Sequence, residues 1–257
     1  MTTLSGILPL RNGVKLGYPF ELAIQSLQRL CDEVVVLVDP TSEDDSLMRV
    51  RALAPDRLIE SVWDLTNHDG HSDEIARQTA IANQQTTGDW TFSLQADEVL
   101  HESEAVNLRD DIALACNEGA DGIEIIRLYF YGGLHQYRED WSVPLLRLFK
   151  RGTFVPDGCS GAMQFIPTGA SSKLLSSARI YHYSRVGDPL SVAQRVRNLD
   201  TFYWPVAAVA SSDVVPAYDY NEMRKLDTYV LGTVPEREEK AVLVPFPLDG
   251  HPAGVRE

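Results

Sequence analysis

The first hundred residues alternate between short apolar runs and segments with helical spacing. Leu4–Leu10 reads as an apolar strand that ends in Arg11-Asn12-Gly13. Phe20, Ala23, Ile24, Leu27 and Leu30 then recur on one helical face, with Pro19 suited to the first turn. Glu33–Asp39, EVVVLVD, is a nearly continuous β-branched run, the pattern of a parallel strand covered on both faces. Asp44–Ala54 predicts a helix with an acidic first turn, and Arg57–Trp63 a third strand. Ser72 is the expected cap of a further helix, with Asp73 and Glu74 at its positive end and Gly88 as the stop. Trp90–Leu94 is the fourth strand. This strand–helix alternation implies a parallel sheet with right-handed crossovers.

Beyond residue 102 the pattern changes. Ser103 opens a helix with Ala105, Leu108, Ile112 and Ala115 on one face and Gly119 beyond it. Gly122–Tyr131 and Val143–Arg151 are strand-like, and Arg179–Tyr183 is a shorter strand. Asp188-Pro189 starts a helix whose apolar face is Val192, Val196, Leu199 and Tyr203. From about residue 205 the chain is richer in Pro, Tyr and acids, with weak periodicity. The expected organisation is one α/β domain over residues 1–204, with a mostly parallel sheet flanked by helices, followed by a C-terminal extension over 205–257.

Composition narrows the function. The chain has 257 residues, 44% apolar and 23% charged, as expected of a globular protein. Its 23 basic and 37 acidic residues give a net charge of −14. That field repels phosphate backbones and anionic lipid, which argues against nucleic acid and membrane surfaces as partners. It admits a nucleotide, because one metal ion and a few arginines reverse the sign locally. Cys31, Cys116 and Cys159 form no metal-type pair. Cys31 and Cys116 fall in amphipathic segments and read as small buried thiols. Reduced thiols, a start (MTTLSGILPLRNG) without a signal-peptide pattern, and no transmembrane segment of about 20 apolar residues make the cytoplasm the expected compartment.

The most informative stretch is Gly88–Glu102, GDWTFSLQADEVLHE, where an apolar strand runs into Asp97 and Glu98. Ligands of open α/β sheets collect outside the carboxyl ends of the strands. An ordinary acidic turn before a helix is the competing reading.

The motifs in their order resemble family 2 glycosyltransferases of the GT-A fold over about residues 4–200. The resemblance rests on Pro9-Leu10-Arg11-Asn12 after the first strand and on Val38-Asp39-Pro40-Thr41-Ser42-Glu43-Asp44 after the second. It rests also on Gly88-Asp89-Trp90 leading into Gln95-Ala96-Asp97-Glu98, and on the late His182-Tyr183. Gln95 stands where that family usually has the first acid of its Asp-x-Asp motif. The resemblance implies a nucleotide-binding half over 1–102 and an acceptor half over 103–204. It implies transfer of a sugar, with inversion, from a nucleotide-diphosphate sugar to a hydroxyl acceptor (a glycan, a lipid-linked sugar or a protein). It also implies Mn²⁺ or Mg²⁺ on Asp97.

In that setting His182 is a second metal-ligand candidate, since imidazole suits Mn²⁺ better than Ca²⁺. A satisfied core histidine is the alternative. Asp39 is expected to accept hydrogen bonds from the base or ribose, and Pro9, Arg11, Asn12, Gln95 and Ala96 to border the nucleotide. Arg77 and Arg185 are candidate phosphate contacts, guanidinium forks fitting phosphate oxygens; surface ion pairs are their other reading. The base that takes the acceptor proton is expected at Asp140 or Asp157.

Two other readings differ in class. A GT-A-like fold can bind a nucleotide or carbohydrate without transferring it. Asn67-His68-Asp69-Gly70-His71-Ser72-Asp73-Glu74 resembles the His-Asp content of metal-dependent phosphohydrolases, although a loop at the nucleotide edge explains it as well. Arg11-Asn12-Gly13-Val14-Lys15 is a fainter match to a nucleotidyltransferase loop.

Overall fold

The computed structural model describes residues 2–65, 73–157, 164–187, 189–203, 243–247 and 250–255. Its first half runs β1 (Leu4–Leu10), α1 (Phe20–Leu30), β2 (Glu33–Val38), α2 (Ser46–Leu53), β3 (Arg57–Glu60), α3 (Asp73–Gln84) and β4 (Trp90–Ser93). β3, β2, β1 and β4 lie side by side and all parallel, with Ile7 opposite both Val35 and Ser93. The β-branched run of β2 is buried on both faces, as a central parallel strand requires. Its side chains alternate between two layers. Val34, Val36 and Val38 pack with α1, while Val35 and Leu37 meet Ala82 of α3 on the other face.

The second half runs β5 (Glu98–Leu100), α4 (Glu104–Glu118), β6 (Gly122–Tyr131), β7 (Gln136–Arg138), a 3₁₀ turn (Glu139–Trp141) and β8 (Pro144–Lys150). It continues with β9 (Phe154–Asp157), β10 (Gln164–Pro167), β11 (Lys173–Arg185), α5 (Pro189–Tyr203) and β12 (Leu243–Pro245). Among the described residues the main sheet has the order β12-β7-β6-β8-β4-β1-β2-β3. β8 is antiparallel to both β4 and β6, so it splices the parallel half to a mixed half. β11 runs parallel to β6 and antiparallel to β5. β9 and β10 form a separate hairpin. The result is the expected α/β architecture, a central sheet flanked by helices.

The expected apolar faces of α1 and α4 are buried, and Gly119 ends α4 at φ 71°. Val192 and Val196 of α5 are buried; Asp188 and the side chains of Leu199 and Tyr203 lie outside the described residues. The remaining differences have local causes. β3 stops at Glu60, short of Trp63. β11 begins six residues before Arg179, because Lys173–Ala178 alternates exposed and covered positions and carries little apolar signal. Cys116 is exposed on α4 and Cys31 half-buried, which corrects the expectation of two buried thiols. Cys159 lies outside the described residues.

Part of the C-terminal extension packs on the same sheet. β12 pairs antiparallel with β7, and His251 lies between the Tyr183 hydroxyl (2.9 Å) and the Leu134 carbonyl (2.6 Å). No described helix is long and apolar enough to cross a membrane.

Gly88 lies under β1, donating its N–H to Ser5 Oγ at 2.9 Å. A Cβ there would meet the backbone nitrogen of Ser5 at 2.8 Å. Gly88→Ala is expected to destabilise by about 1–3 kcal/mol through overpacking. A urea midpoint equal to wild type would contradict the β1–β4 register.

Candidate functional site

Three residues set the site. β5 pairs with the end of β11, so that Glu98 faces His182 across the ladder. The Tyr183 N–H donates to the Asp97 carbonyl at 2.8 Å, which fixes the turn before β5. Asp97 Oδ2 then stands 3.4 Å from His182 Nε2. The His182 side chain is 6% exposed and the Asp97 side chain 15%. Burial pushes the Asp97 carboxyl up, but the facing imidazole and the Arg127 charge pull it down to about 2. Burial pushes His182 below its ordinary value against the pull of Asp97, and Arg127 adds to the lowering. Near neutral pH the pair is therefore a carboxylate beside a neutral imidazole, with Arg127 helping to hold the carboxylate ionised.

Beneath Asp97 lies a buried ionic cluster. Glu98 Oε1 accepts from Arg147 Nη2 at 2.7 Å and lies 3.6 Å from Arg127 Nη1. Glu98 Oε2 accepts the Gln95 N–H at 2.9 Å, and Gln95 Oε1 accepts from Arg147 at 3.3 Å. Glu98 and Arg147 are fully buried. Burial lowers the Arg147 pKa against the opposing charge of Glu98. Asp97 and Glu98 do not share one rim, as their adjacency in sequence suggests. Their side chains diverge, Glu98 going inward to the arginines and Asp97 outward to His182. Gln95 is thereby a brace of this turn through both its amide oxygen and its backbone.

The loops after β1 and β2 form the neighbouring rim. Asp39 is fully buried and accepts from Arg11 Nε (3.0 Å), Thr41 N (2.9 Å) and Thr41 Oγ1 (2.7 Å). Its carboxylate holds Arg11 and the Thr41 turn at the end of β2. Asn12, at φ 52°, clips the two loops together. Its N–H donates to Ser42 Oγ at 3.2 Å and its Oδ1 accepts the Glu43 N–H at 2.8 Å. Pro9 is buried in β1 opposite Leu37, and Ala96 packs partly against the main core.

Arg195 of α5 ties that rim to β11. It donates to the carbonyls of Leu16 (2.5 Å), Gly17 (2.7 Å), Tyr183 (3.1 Å) and Val186 (2.5 Å). Its guanidinium lies 5.6 Å from the ring of Tyr18. Burial raises the Tyr18 phenol, Asp97 raises it further, and Arg195 and Arg185 oppose. Tyr18, Asp97, Arg185 and Arg195 thus converge on one locus. Arg185 is buried at the end of β11, opposite Tyr131.

The other expected residues lie elsewhere. Arg77 forks onto Glu74, at 2.7 Å through both Nε and Nη2, and reaches the Val62 carbonyl at 3.1 Å. Arg77 is thus an ion-paired side chain about half exposed. Asp140 is ion-paired with Arg138, whose guanidinium lies 3.5 Å over the Trp141 ring. Trp141 packs edge-on to Tyr129 at 4.8 Å, and Tyr129 on His182 at 4.5 Å, so Asp140 stands two rings from the pair. Asp157 ends β9, opposite Gln164. Asn67–Ser72 lies outside the described residues, and the nearby Glu74 accepts from Asp64 N at 2.9 Å and Gln78 at 2.6 Å.

Arg127, Arg147, Tyr18 and Arg195 escaped the reading of the sequence. A signal existed for the first two. Each is a lone charge inside a run otherwise apolar at that point, IIRLYF and PLLRLFK, and a buried charge demands a partner.

The donor set fits a divalent cation. A spacing of 3.4 Å lets an oxygen and a nitrogen share one cation at about 2.1 Å each. The ionised carboxylate and neutral imidazole are the forms a metal needs. Among the described residues no third acid, His or Cys completes a cluster. Two protein ligands are what a cation shared with substrate phosphates uses.

No family model and no curated protein matches the chain. The chain is similar to TarS of S. aureus. The solved TarS structure is 15% identical with a TM-score of 0.48, covering 89% of this chain and 43% of TarS. TarS 1-349 in complex with UDP-GlcNAc is 16% identical with a TM-score of 0.46, covering 89% of this chain and 71% of that one. Glucosyl-3-phosphoglycerate synthase from Mycobacterium tuberculosis, in complex with Mn²⁺, UDP and glucosyl-3-phosphoglycerate, is 20% identical with a TM-score of 0.35. That similarity covers 49% of this chain and 44% of the synthase. The chain thus spans less than half of full TarS and of the synthase. Likeness at this level transfers no activity, and function has to be argued from the residues above.

Glu98→Ala leaves Arg147 buried without its carboxylate. It is expected to cost about 3–5 kcal/mol, and a urea midpoint within error of wild type would contradict the cluster. Asp97 titrates from an ordinary 3.8 down to about 2 in the folded chain. Its stabilisation is therefore complete above the ordinary value and is lost as pH falls through about 2. Urea titrations at falling pH are expected to show a steeper loss of stability over that window in wild type than in Asp97→Asn. Equal slopes would contradict the depressed carboxyl.

Proposed function

We propose that the chain is a metal-assisted glycosyltransferase that moves a sugar from a nucleotide-diphosphate sugar to a hydroxyl acceptor with inversion. The observation that carries this reading is the Asp97–His182 pair, 3.4 Å apart, at the strand-end rim bordered by the loops after β1 and β2. Asp97 and His182 would hold Mn²⁺ or Mg²⁺, which as a Lewis acid neutralises a departing diphosphate. Arg185 and Arg11 are the side chains this reading assigns to phosphate oxygens, with Arg77 as a further candidate. Asp39 is assigned to the nucleoside, with Arg11, 15% exposed, held beside it by their ion pair. The backbone of Gln95 and Ala96 borders the nucleotide, and Arg195 keeps the β1 loop against β11.

The base remains Asp140 or Asp157 in this reading. Asp140 is favoured by the ring contacts that link its turn to His182. Its carboxylate is ion-paired with Arg138, so it reaches the acceptor hydroxyl only when Arg138 moves away. That ion pair also favours a second reading, in which the site binds a sugar nucleotide without transferring it. Release of UDP or GDP from a sugar donor in the presence of an acceptor would exclude the second reading.

Calorimetric titration of UDP and GDP, with and without Mn²⁺, tests the main one. Wild type is expected to bind one of them more tightly with Mn²⁺, and Asp97→Ala to lose that increment. In turnover the variant is expected to lose about 10²-fold or more in kcat/KM. Metal-independent binding that survives in Asp97→Ala would sink the assignment.

A further inference from the structure

Arg127 is a buried cation whose donors find no acceptor among the described residues. It is 8% exposed, and its Nε is buried without a hydrogen-bond partner. Glu98 Oε1 is 3.6 Å from its Nη1, beyond hydrogen-bonding distance. That oxygen already accepts from Arg147 Nη2 at 2.7 Å. Arg147 is therefore the arginine that satisfies Glu98, and the charge of Arg127 opposes that of Arg147. Leaving a buried guanidinium with unused donors costs free energy. A ligand oxygen at those donors removes the cost.

The sheet places Arg127 in the half remote from the loops after β1 and β2. In the order β6-β8-β4-β1-β2, its strand β6 stands three strand spacings from β1, about 14 Å. Arg127 and Tyr129 share one face of β6, as alternate positions do. The guanidinium lies 5.5 Å from the Tyr129 ring centre, and that ring packs on His182 at 4.5 Å. The charge of Arg127 acts on both Asp97 and His182. The lip beside it is open, with Trp141 and Ser142 half-buried and Val143 exposed. Trp141 meets Tyr129 at 4.8 Å, Ser142 Oγ accepts the Tyr129 N–H at 3.1 Å, and the Val143 carbonyl accepts the Arg127 N–H at 3.2 Å.

We propose that Arg127 binds an anionic group, phosphate or carboxylate, carried by the hydroxyl acceptor. The proposal rests on the glycosyl-transfer reading of this site and adds to it the charge class of the acceptor. A guanidinium fork holds such a group through parallel N–H···O bonds. The position of β6 puts that group on the acceptor side of Asp97, away from the nucleotide rim. A neutral glycan has no charge to set against a buried guanidinium.

Sulfate stands in for the acceptor's anion. Nitrogen–proton NMR of the arginine Nε–H groups, in protein saturated with UDP and Mg²⁺, reads the contact, and Arg127→Gln identifies the signal. Sulfate is expected to move the Arg127 signal to a saturating limit. Calorimetry of sulfate on the same complex is expected to show binding about 10-fold weaker in Arg127→Gln. Arg127→Lys, which keeps the charge without the fork, is expected to recover part of it. A signal moved by UDP with Mg²⁺ and then indifferent to sulfate puts the donor diphosphate on Arg127 and overturns the proposal. A signal that neither ligand moves overturns it too, leaving Arg127 a structural charge. If Arg127→Gln fails to fold, the wild-type shifts and Arg127→Lys still decide. Wild type that binds no UDP but moves its Arg127 signal with sulfate refutes the transferase reading, and the acceptor assignment with it, while the anion contact stands.

Discussion

The pairing of Glu98–Leu100 with the end of β11 is the constraint on which the site depends. Asp97 comes from the rim of the parallel half and His182 from the mixed half, far away in sequence. Only the short β5 ladder, with the Tyr183 N–H on the Asp97 carbonyl, holds them together. Three residues of strand are marginal by themselves. They are braced from below by the buried Glu98–Arg147 pair and from the side by Arg195, which links the β1 loop to β11. The geometry of Asp97 is thus a property of the whole sheet junction and not of one turn.

The proposed phosphorylated ligand requires local positive charge on an acidic chain. The chain carries a net charge of −14, whereas Arg127 and Arg147 gather at Glu98. Arg127 and Arg147 belong to adjacent antiparallel strands and meet at Glu98. Burial makes their attraction to Glu98 strong and makes any imbalance costly. The cluster therefore both keeps Asp97 ionised and ties the two halves of the sheet together.

The parallel half was legible in the sequence because its signals are local and strong. β1 has the bounds that its apolar run suggests, and α1 shows its buried face in the spacing of Phe20 to Leu30. The mixed half was less legible. β5 and β7 are only three residues long and have no periodicity to read. β11 is longer than its apolar part, since its first half faces solvent on one side. Asp97 and His182 were legible as candidates, but their meeting is set by tertiary pairing. Asp39 and Arg77 were legible as charged residues at suitable positions. What the sequence could not show was that Thr41 and Arg11 occupy the one, and Glu74 the other. Local sequence tells which residue carries a charge, and only packing tells whether that charge is already answered.

Asp97 and His182 are proposed together to hold a cation used by a nucleotide diphosphate. Crystals grown with UDP and Mn²⁺, measured at the manganese absorption edge, test it most directly. An anomalous peak bonded to both Asp97 Oδ2 and His182 Nε2, with diphosphate oxygens completing the coordination, is the expected result. Bound UDP with manganese elsewhere, and the Asp97–His182 pair closed on itself as in the free protein, would contradict it.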